Sequence, residues 1–425
     1  MVFSTGSEKG SRRGNPRGYV WIAVLIVLAS LATTGAVSAA TPITGPIIIT
    51  VPGEYYLANN IIDSAVGIII AVPNVVLDGK GKTLDGVDGA SSVGIRIYNA
   101  GMTLFNVVVK NVVVTDWGTG LFLTDVKNSQ LDKVTTSSNV GFGISLQNSI
   151  RNTITTSTAT GNGDTGIILW SGSNSNTITS NTISANDGEG LRIRFSNNND
   201  VTNNKILNNK KQGIYFWEEG NFNTVSGNTI TGNKDGGIIV LTSNNNLITK
   251  NTIKDSGSRG IFVSTDSINN EFSLNTVQNC TSDAIYLYNN ADSNLVTGNT
   301  FEKSLDTGIS LYTSDRNLIY NNLVKNNVKQ GIWMSGSGSN VIVNNYFYNN
   351  NNTKLVSGLP ANTWNLTRST QKSITGGANS GGNSWGQPNG LGFSQITPAT
   401  NGICNSPYTL ATNNVDRLPL KWASK

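Results

Sequence analysis

The chain has 425 residues, among them 46 glycines, 10 prolines, two cysteines and no histidine. A hydrophobic share of 37% is enough to build a packed core, whereas two cysteines cannot form a disulfide framework. The formal charge is +5, but no cluster of basic residues with interleaved aromatic residues occurs, so the sequence does not favour nucleic-acid binding.

The first 39 residues have the pattern of a secretory signal peptide. Four basic residues precede the apolar stretch Tyr19–Leu31, and the residues Val37–Ala39 suit a cleavage site. Removing this segment, whose single acid is Glu8, lowers the formal charge to +2. The pattern predicts a secreted or cell-surface protein. The alternative is an uncleaved segment that anchors the protein in a membrane.

Residues 40–119 have looser apolar runs than the part that follows. The runs Ile47–Ile49 and Val75–Gly79 are punctuated by Pro46, Pro52 and Pro73. Because proline interrupts strands and favours turns, we expect an N-terminal cap here, together with first coils that have longer turns.

Residues 120–350 repeat with a period of 23 or 24 residues. Each unit has a glycine before an apolar pair and then two N-x-(I/V/F) steps, five residues apart. The glycines are Gly120, Gly143, Gly166, Gly190, Gly213, Gly237, Gly260, Gly308 and Gly331, and Ala284 replaces one of them. The asparagines of the second step are Asn181, Asn204, Asn228, Asn251, Asn275, Asn299, Asn322 and Asn345.

A fixed period of this length is typical of a solenoid, in which stacked units build the core together. Apolar and polar residues alternate over short stretches, which is the period of a half-buried strand. The sequence therefore predicts an all-β fold, a right-handed, single-stranded parallel β-helix solenoid with about 23–24 residues per coil. Leucine-rich repeats have similar periods but need one asparagine per unit, so they fit less well.

The asparagine columns are expected to be structural. Stacked coils lie about 4.8 Å apart, so an asparagine at the same place on every coil can hydrogen-bond the amides above and below it. This interpretation is favoured over a catalytic role. Residues 351–425 lose the repeat and are rich in glycine and asparagine, and we expect them to cap the open end of the solenoid.

Residues two and four positions after each glycine should point outward, and many are aromatic. Exposed aromatic residues in register can stack against sugar rings, although aromatic residues also favour strands for packing reasons alone. The candidate substrate-binding residues are Trp170, Tyr215, Trp217, Tyr286, Tyr288, Tyr312 and Trp333.

Charged residues gather beside the same columns. The candidate catalytic residues are Glu189, Arg192, Arg194, Glu218, Glu219, Asp283 and Asp306. Two carboxylates on neighbouring coils suit glycoside hydrolysis, and an arginine can neutralise a uronate. A network of surface salt bridges is the alternative. If one of these acids donates a proton, we expect a raised pKa for Glu189, Glu218 or Asp283.

Over about residues 45–425 the chain resembles a known family. The motifs that carry the resemblance are Pro52–Leu57, Asn74–Gly81, Gly381–Trp385 and Asp416–Leu420, together with the repeated coils. It resembles the secreted right-handed parallel β-helix proteins of the NosD-like, carbohydrate-binding and sugar-hydrolase group. The resemblance implies the fold strongly and the activity weakly.

The family name implies copper delivery in some members, but this chain has no histidine, three methionines and two cysteines. Copper is therefore disfavoured. Related tails often carry an Asp-rich stretch that looks like a calcium loop, whereas Asn401–Asn405 has no carboxylates. No cofactor is predicted, and Ca²⁺ bound by a carboxylate pair stays open.

Pectin-cleaving hydrolases and alginate epimerases of this shape use histidine, which this chain lacks. We therefore predict an extracellular or cell-surface protein whose partner is a polysaccharide or cell-surface glycan, bound along the aromatic face. One alternative is a polysaccharide lyase or glycoside hydrolase that uses the acids and arginines of that face. The other is a structural envelope or adhesion protein.

Overall fold

The computed structural model describes residues 39–424, so all but the last residue of the predicted signal peptide lies outside the described residues. Within this range the strands form two long parallel sheets, of 24 and 14 strands. The helix of this part of the chain is a single turn, Phe393–Ile396. A search of the same residues finds no helix with the length and apolar character of a membrane span.

The 14-stranded sheet, here called the glycine sheet, takes one strand from each coil. Each strand pairs in parallel with the strand one period later, so that Ile261 lies opposite Ile285. Its strands are Ile47–Ile49, Ile68–Ile70, Val93–Ile97, Thr119–Thr124, Ile144–Gln147, Ile167–Trp170, Leu191–Arg194, Gln212–Trp217, Gly236–Leu241, Ile261–Ser264, Ile285–Tyr288, Thr307–Tyr312, Gln330–Ser335 and Thr353–Leu355.

The 24-stranded sheet, here called the asparagine sheet, takes two short strands from each regular coil, one from each N-x-(I/V/F) step. Its strands are Thr41–Ile43, Gly53–Leu57, Val75–Asp85, Val108–Thr115, Gln130–Ser137, Thr153–Thr155, Thr158–Thr160, Thr177–Thr179, Thr182–Ser184, Asp200–Thr202, Lys205–Leu207, Thr224–Ser226, Thr229–Thr231, Leu247–Thr249, Thr252–Lys254, Glu271–Ser273, Thr276–Gln278, Leu295–Thr297, Thr300–Glu302, Leu318–Tyr320, Leu323–Lys325, Val341–Val343, Tyr346–Tyr348 and Ser384–Gly386.

Asn228 shows how the asparagine columns hold the coils together. Its backbone N–H and its Nδ2 both donate to Oδ1 of Asn251, at 2.9 and 3.0 Å. Its Nδ2 also donates to the carbonyl oxygen of Val201 at 2.8 Å. Its own Oδ1 accepts from the N–H and the Nδ2 of Asn204. Each buried amide is thereby satisfied by the two neighbouring coils, which confirms the predicted ladder.

The structure contains a third ladder that we did not predict. Its members lie five residues after the second N-x-(I/V/F) step and accept bonds from one another in the same way, as Asn186 does from Asn162. The asparagines are Asn139, Asn162, Asn186, Asn209, Asn233, Asn327, Asn349 and Asn352. Ser256, Cys280 and Ser304 take the places in between. Cys280 is accordingly a buried free thiol and forms no disulfide with Cys404.

The residue before a ladder asparagine usually has a positive φ. The angle is 59° at Ser180, 56° at Asn203 and 68° at Gly227. Each such residue bends the chain at a corner between two strands. Glycine and short polar residues adopt this conformation at low cost, which explains why they recur at these corners.

The glycine column is explained by close packing inside the coil. A Cβ atom on Gly190 would lie 2.5 Å from Cγ2 of Ile206 and 2.7 Å from the carbonyl oxygen of Gly213. Isoleucine and valine side chains of all three strands fill the remaining interior and are almost fully buried. A side chain larger than that of Ala284, the one alanine in this column, would therefore push neighbouring coils apart.

The C-terminal residues cover one end of the stack. The strand Ser384–Gly386 adds to Tyr346–Tyr348, and the ring of Trp385 stacks on Phe347 with centroids 4.7 Å apart. The predicted boundaries at residues 119 and 350 stay a prediction. The remaining short pairs are Leu104–Phe105 with Val126–Lys127, Ala399–Thr400 with Ile403–Cys404, and Tyr408–Ala411 with Asn414–Asp416.

Candidate functional site

The outer face of the glycine sheet carries the predicted aromatic residues. Side chains alternate along each strand, so Ile285 and Leu287 are buried while Tyr286 and Tyr288 point outward. The parallel register then places outward residues of neighbouring coils side by side, as with Phe262 and Tyr286. The aromatic residues of this face are partly buried or exposed: Trp170, Tyr215, Trp217, Tyr286, Tyr288, Tyr312 and Trp333.

Many of these rings stack on one another. Tyr312 is nearly parallel to Tyr288 and to Trp333, with centroid distances of 5.2 and 6.3 Å and interplanar angles of 16° and 7°. Tyr286 meets Trp333 edge-on at 6.4 Å. Tyr312 therefore has an aromatic neighbour on each of the two adjacent coils. The row offers ring edges and hydroxyl groups more than the open platform of ring faces that the sequence suggested.

One cavity opens on this face, and we call it the Asp283 cleft. Its volume is about 160 Å³, and the residues that line it come from three successive coils. They combine two carboxylates, two aliphatic hydroxyl groups and two aromatic rings: Asp283, Tyr286, Asp306, Thr307, Ser310 and Trp333. The cleft therefore presents polar groups beside apolar surface.

Asp283 is the most perturbed acid of the cleft. Its Oδ1 accepts a hydrogen bond from Oγ of Ser310 at 2.6 Å, and its Oδ2 lies 3.5 Å from Nε of Arg259. Burial raises the pKa of the Asp283 carboxyl, and the nearby charge of Asp306 adds to the rise. The hydrogen bond from Ser310 and the Arg259 charge lower it only in part. Asp283 therefore keeps its proton to a higher pH than an ordinary aspartate.

Two basic residues that we did not predict border the cleft. The guanidinium carbon of Arg259 lies 4.7 Å from the ring centroid of Phe262 and 4.8 Å from that of Tyr286. Nζ of Lys329 donates to Oδ2 of Asp306 at 2.7 Å. Arg259 occupies the position before the glycine, as Asp283 occupies the position before Ala284. That shared position is the sequence signal that would have identified it.

A second group of charges, the Glu189 cluster, lies about four coils away, or roughly 19 Å at the usual coil spacing. Glu189 is 3% exposed, pairs with Arg192 and accepts a bond from Oγ1 of Thr165 at 2.8 Å. Burial alone would raise the pKa of Glu189, but the Arg192 charge and the Thr165 hydrogen bond outweigh it and lower the pKa. The expectation of a raised pKa is therefore wrong for Glu189, which stays ionised.

Beside this cluster, Arg194 is held in place by an acid and an aromatic ring. Its Nη2 lies 2.6 Å and its Nε 2.7 Å from Oε2 of Glu218. Its guanidinium carbon lies 4.2 Å from the ring centroid of Trp217, which runs parallel to Tyr215 at 6.0 Å. Glu219 is exposed at the following position. Since both arginines of this region are already paired with acids, neither is a free cation.

Two family models match the repeated part of the chain. One, described as a right-handed β-helix region, matches residues 93–248. The other, described as the periplasmic copper-binding protein NosD, matches residues 224–390. The chain is a right-handed β-helix protein of the NosD-like group.

Solved structures resemble this chain at low sequence identity. The periplasmic alginate epimerase AlgG is 15% identical, with a TM-score of 0.53 over 71% of this chain and 76% of its own. The A-module of the mannuronan C-5 epimerase AlgE6 from Azotobacter vinelandii is 16% identical, with a TM-score of 0.46 over 76% and 90%. The DFA-IIIase from Arthrobacter chlorophenolicus is 14% identical, with a TM-score of 0.48 over 65% and 83%. Comparison with curated protein sequences finds no match.

The donor groups of this NosD-like chain do not fit a copper site. Copper favours histidine, cysteine and methionine ligands, and the chain has no histidine. Cys280 lies inside a coil, where burial raises its pKa to about 11, and Met334 lies in the core. Within residues 39–424, no three histidine, cysteine or acidic side chains come together as a metal-binding group.

The structure thus separates the predicted site residues into two groups. Asp283 and Asp306 share the cleft with Tyr286 and Trp333, while Tyr288 and Tyr312 stack beside it. The remaining charged candidates belong to the region of the Glu189 cluster: Glu189, Arg192, Arg194, Glu218 and Glu219. The roles given to these residues stay predictions, and the Asp283 cleft is the stronger candidate site because it combines a cavity with a perturbed acid.

Proposed function

We propose that the protein binds a polysaccharide on the outer face of the glycine sheet, with one sugar unit in the Asp283 cleft. The observation that carries the proposal is the composition of the cleft. The rings of Tyr286 and Trp333 lie beside the polar groups of Asp283, Thr307 and Ser310. A sugar ring presents C–H groups to an aromatic residue and hydroxyl groups to hydrogen-bonding partners, so it matches both kinds of surface.

The size of the cleft supports a single sugar unit. Its volume of about 160 Å³ is smaller than that of the pockets that hold drug-sized ligands. A longer glycan would extend out of the cleft over the flat sheet. The regular coils provide such a surface on both sides of the cavity.

The comparisons support a role outside the cytoplasm. The matching family is described as periplasmic, and AlgG, which has the same fold, is described as a periplasmic alginate epimerase. We extend to this chain the class of ligand, a polysaccharide, and a periplasmic, secreted or cell-surface location. The predicted signal peptide is consistent with that location.

Replacing Trp333 with alanine is expected to weaken glycan binding by at least about tenfold, because one wall of the cleft and its stacking surface are lost. A glycan array followed by titration calorimetry on the bound glycan measures the effect. Trp170→Ala is the comparison variant: Trp170 is a candidate binding residue of the same sheet, seven coils away, and we expect it to lose less affinity if the sugar unit binds in the cleft. Equal losses in both variants would contradict binding at the cleft, and a protein that binds no glycan would leave an envelope or adhesion role.

A second candidate function is cleavage of the bound polysaccharide with Asp283 as the proton donor. The raised pKa of Asp283 favours it, because a general acid must hold its proton near the working pH. Asp306 on the next coil pairs with Lys329 and supplies the second carboxylate that glycoside hydrolysis requires. A lyase that uses Arg192 or Arg194 is less favoured, because both guanidinium groups are paired with acids.

Asp283→Asn separates binding from catalysis. If the protein is a hydrolase, this variant is expected to lose at least about a hundredfold in turnover and to bind the glycan within a few-fold of wild type. Release of reducing ends from each glycan that binds measures turnover, and the ultraviolet absorbance of unsaturated products would reveal a lyase instead. Absence of products from wild type with every bound glycan would rule out this second function and leave a binding protein.

A further inference from the structure

Two phenylalanines stand at corners of the solenoid where large side chains are disfavoured. Phe195 has a φ of 47° and Phe222 a φ of 56°. Most corner positions with positive φ hold asparagine, aspartate, serine, threonine, lysine or glycine instead. A bulky residue in this region of φ and ψ is uncommon and strained, because its Cβ crowds the backbone.

Burial does not offset this strain. Phe195 is 40% exposed and Phe222 is 58% exposed. Neither ring belongs to the hydrophobic core, and neither stacks on another aromatic ring among the described residues. Strain that folding does not compensate is a reason to look for a function at a site.

The two rings lie close together on adjacent coils. The N–H of Phe195 donates to the carbonyl oxygen of Glu218 at 2.8 Å, and Phe222 follows Glu218 by four residues. The chain from Glu218 to Phe222 spans at most about 14 Å and the coils differ by about 4.8 Å, so the two Cα atoms lie within about 15 Å. A ligand of two or three sugar units would reach both rings.

Polar groups stand beside these rings. The guanidinium carbon of Arg194 lies 5.0 Å from the centroid of Phe195 and 4.2 Å from that of Trp217. Glu218 fixes this guanidinium through its Nε and Nη2 atoms. Hydrogen-bond donors and acceptors therefore border exposed aromatic surface, as they do in the Asp283 cleft.

We propose that Phe195, Phe222, Arg194 and Trp217, which we call the corner patch, form a second polysaccharide-binding site. The proposal rests on the proposed function, because the ligand class is taken from it. The corner patch differs from the Asp283 cleft in the aromatic surface that it offers to a sugar. Stacking against a sugar requires an open ring face. Tyr312 has aromatic neighbours on both adjacent coils, whereas no aromatic ring among the described residues stacks on Phe222, and the Phe195 ring has the Arg194 guanidinium beside it and no aromatic neighbour.

The double variant Phe195→Asn, Phe222→Asn tests this proposal. Asparagine adopts positive φ more readily than phenylalanine, so the melting temperature is expected to rise by about 1–2 °C. The dissociation constant for the glycan that wild type binds is expected to rise about tenfold. Higher stability together with weaker binding is the combination that a structural role would not produce. Differential scanning fluorimetry and calorimetric titration measure the two quantities.

Leu274→Asn is the matched control. Leu274 is also an exposed apolar residue with positive φ, at a corner of the asparagine sheet away from the patch. It should gain stability without any change in binding. Unchanged affinity or a lower melting temperature in the double variant would overturn the proposal that the corner patch binds polysaccharide. If the double variant binds the glycan as wild type does while Trp333→Ala still weakens binding, the proposed function is retained and only the second site is rejected. A wild-type protein that binds no glycan overturns both.

Discussion

Replacing Asn228 with alanine is expected to lower the free energy of unfolding by about 3–5 kcal/mol. The side chain is 1% exposed and bonds to the coils on both sides. Its removal leaves the N–H and Nδ2 of Asn204 and the carbonyl oxygen of Val201 without their partner inside the solenoid. A buried polar group without a partner costs about 1–3 kcal/mol, and a small cavity adds to the loss.

Thr229→Ala is the control for this prediction. Thr229 is the next residue, begins the strand Thr229–Thr231 and points to solvent, so its replacement should change stability by less than about 0.5 kcal/mol. Urea denaturation followed by circular dichroism compares the two variants. Equal stability of both variants would contradict the view that the ladder amides hold the coils together.

Hydrogen exchange should show which coils are destabilised in the Asn228→Ala variant. Each coil of a solenoid contacts only its neighbours, so the effect of Asn228→Ala is expected on the coils that contain Asn204 and Asn251. Exchange of amide protons far along the stack should change much less. This local pattern would separate a broken ladder from a general loss of the fold.

The coil could be predicted from the sequence because the same asparagines produce the sequence repeat and the hydrogen bonds between coils. Asn181, Asn204 and Asn228 recur at one coil's spacing since each must meet the next. The third ladder escaped prediction because Ser256, Cys280 and Ser304 interrupt it. The step of five residues from Asn176 to Asn181 continues to Asn186, however, and was a usable signal.

The site was less predictable because neighbours on adjacent coils decide the chemistry. Glu189 precedes Gly190 and Asp283 precedes Ala284, so the two acids occupy the same position of their coils. Arg192 on its own strand lowers the pKa of Glu189, whereas burial, with Asp306 nearby, raises that of Asp283. One sequence position thus gives an ionised structural acid in one coil and a proton-holding acid in another. Only the packing around each carboxyl tells them apart.

The C-terminal cap of the asparagine sheet should become less stable as the pH rises from about 4 to about 7. Asp416 is fully buried and ends the ladder that runs through Asn345 and Asn383. Its Oδ2 accepts from the N–H of Asn383 at 2.8 Å and from Nε1 of Trp385 at 2.9 Å, and its Oδ1 accepts from the N–H of Leu418. Among the described residues no cation pairs with it, and burial raises its pKa to about 7.

The direction of this change in stability with pH follows from proton binding. Between pH 4 and 7 the folded cap holds a proton that the unfolded chain, with an aspartate pKa of about 3.9, has released. Stability from this group is therefore complete below pH 4, and about 4 kcal/mol of it is lost by the time the pH exceeds 7. The fluorescence of Trp385, followed in urea at a series of pH values, reports on the cap because this indole bonds to Asp416.

Asp416→Asn isolates the contribution of this carboxyl. The amide oxygen can still accept from Asn383 and Trp385, but the amide nitrogen faces the N–H of Leu418, so the variant should lose about 1–3 kcal/mol at low pH. Its stability should then stay flatter than that of wild type between pH 4 and 7, because it cannot ionise. The chain has no histidine, which removes the usual source of a transition near neutral pH. If wild type and variant lose stability in parallel over this range, the buried carboxyl of Asp416 is already ionised in the folded cap, and its three N–H donors outweigh the cost of burying its charge.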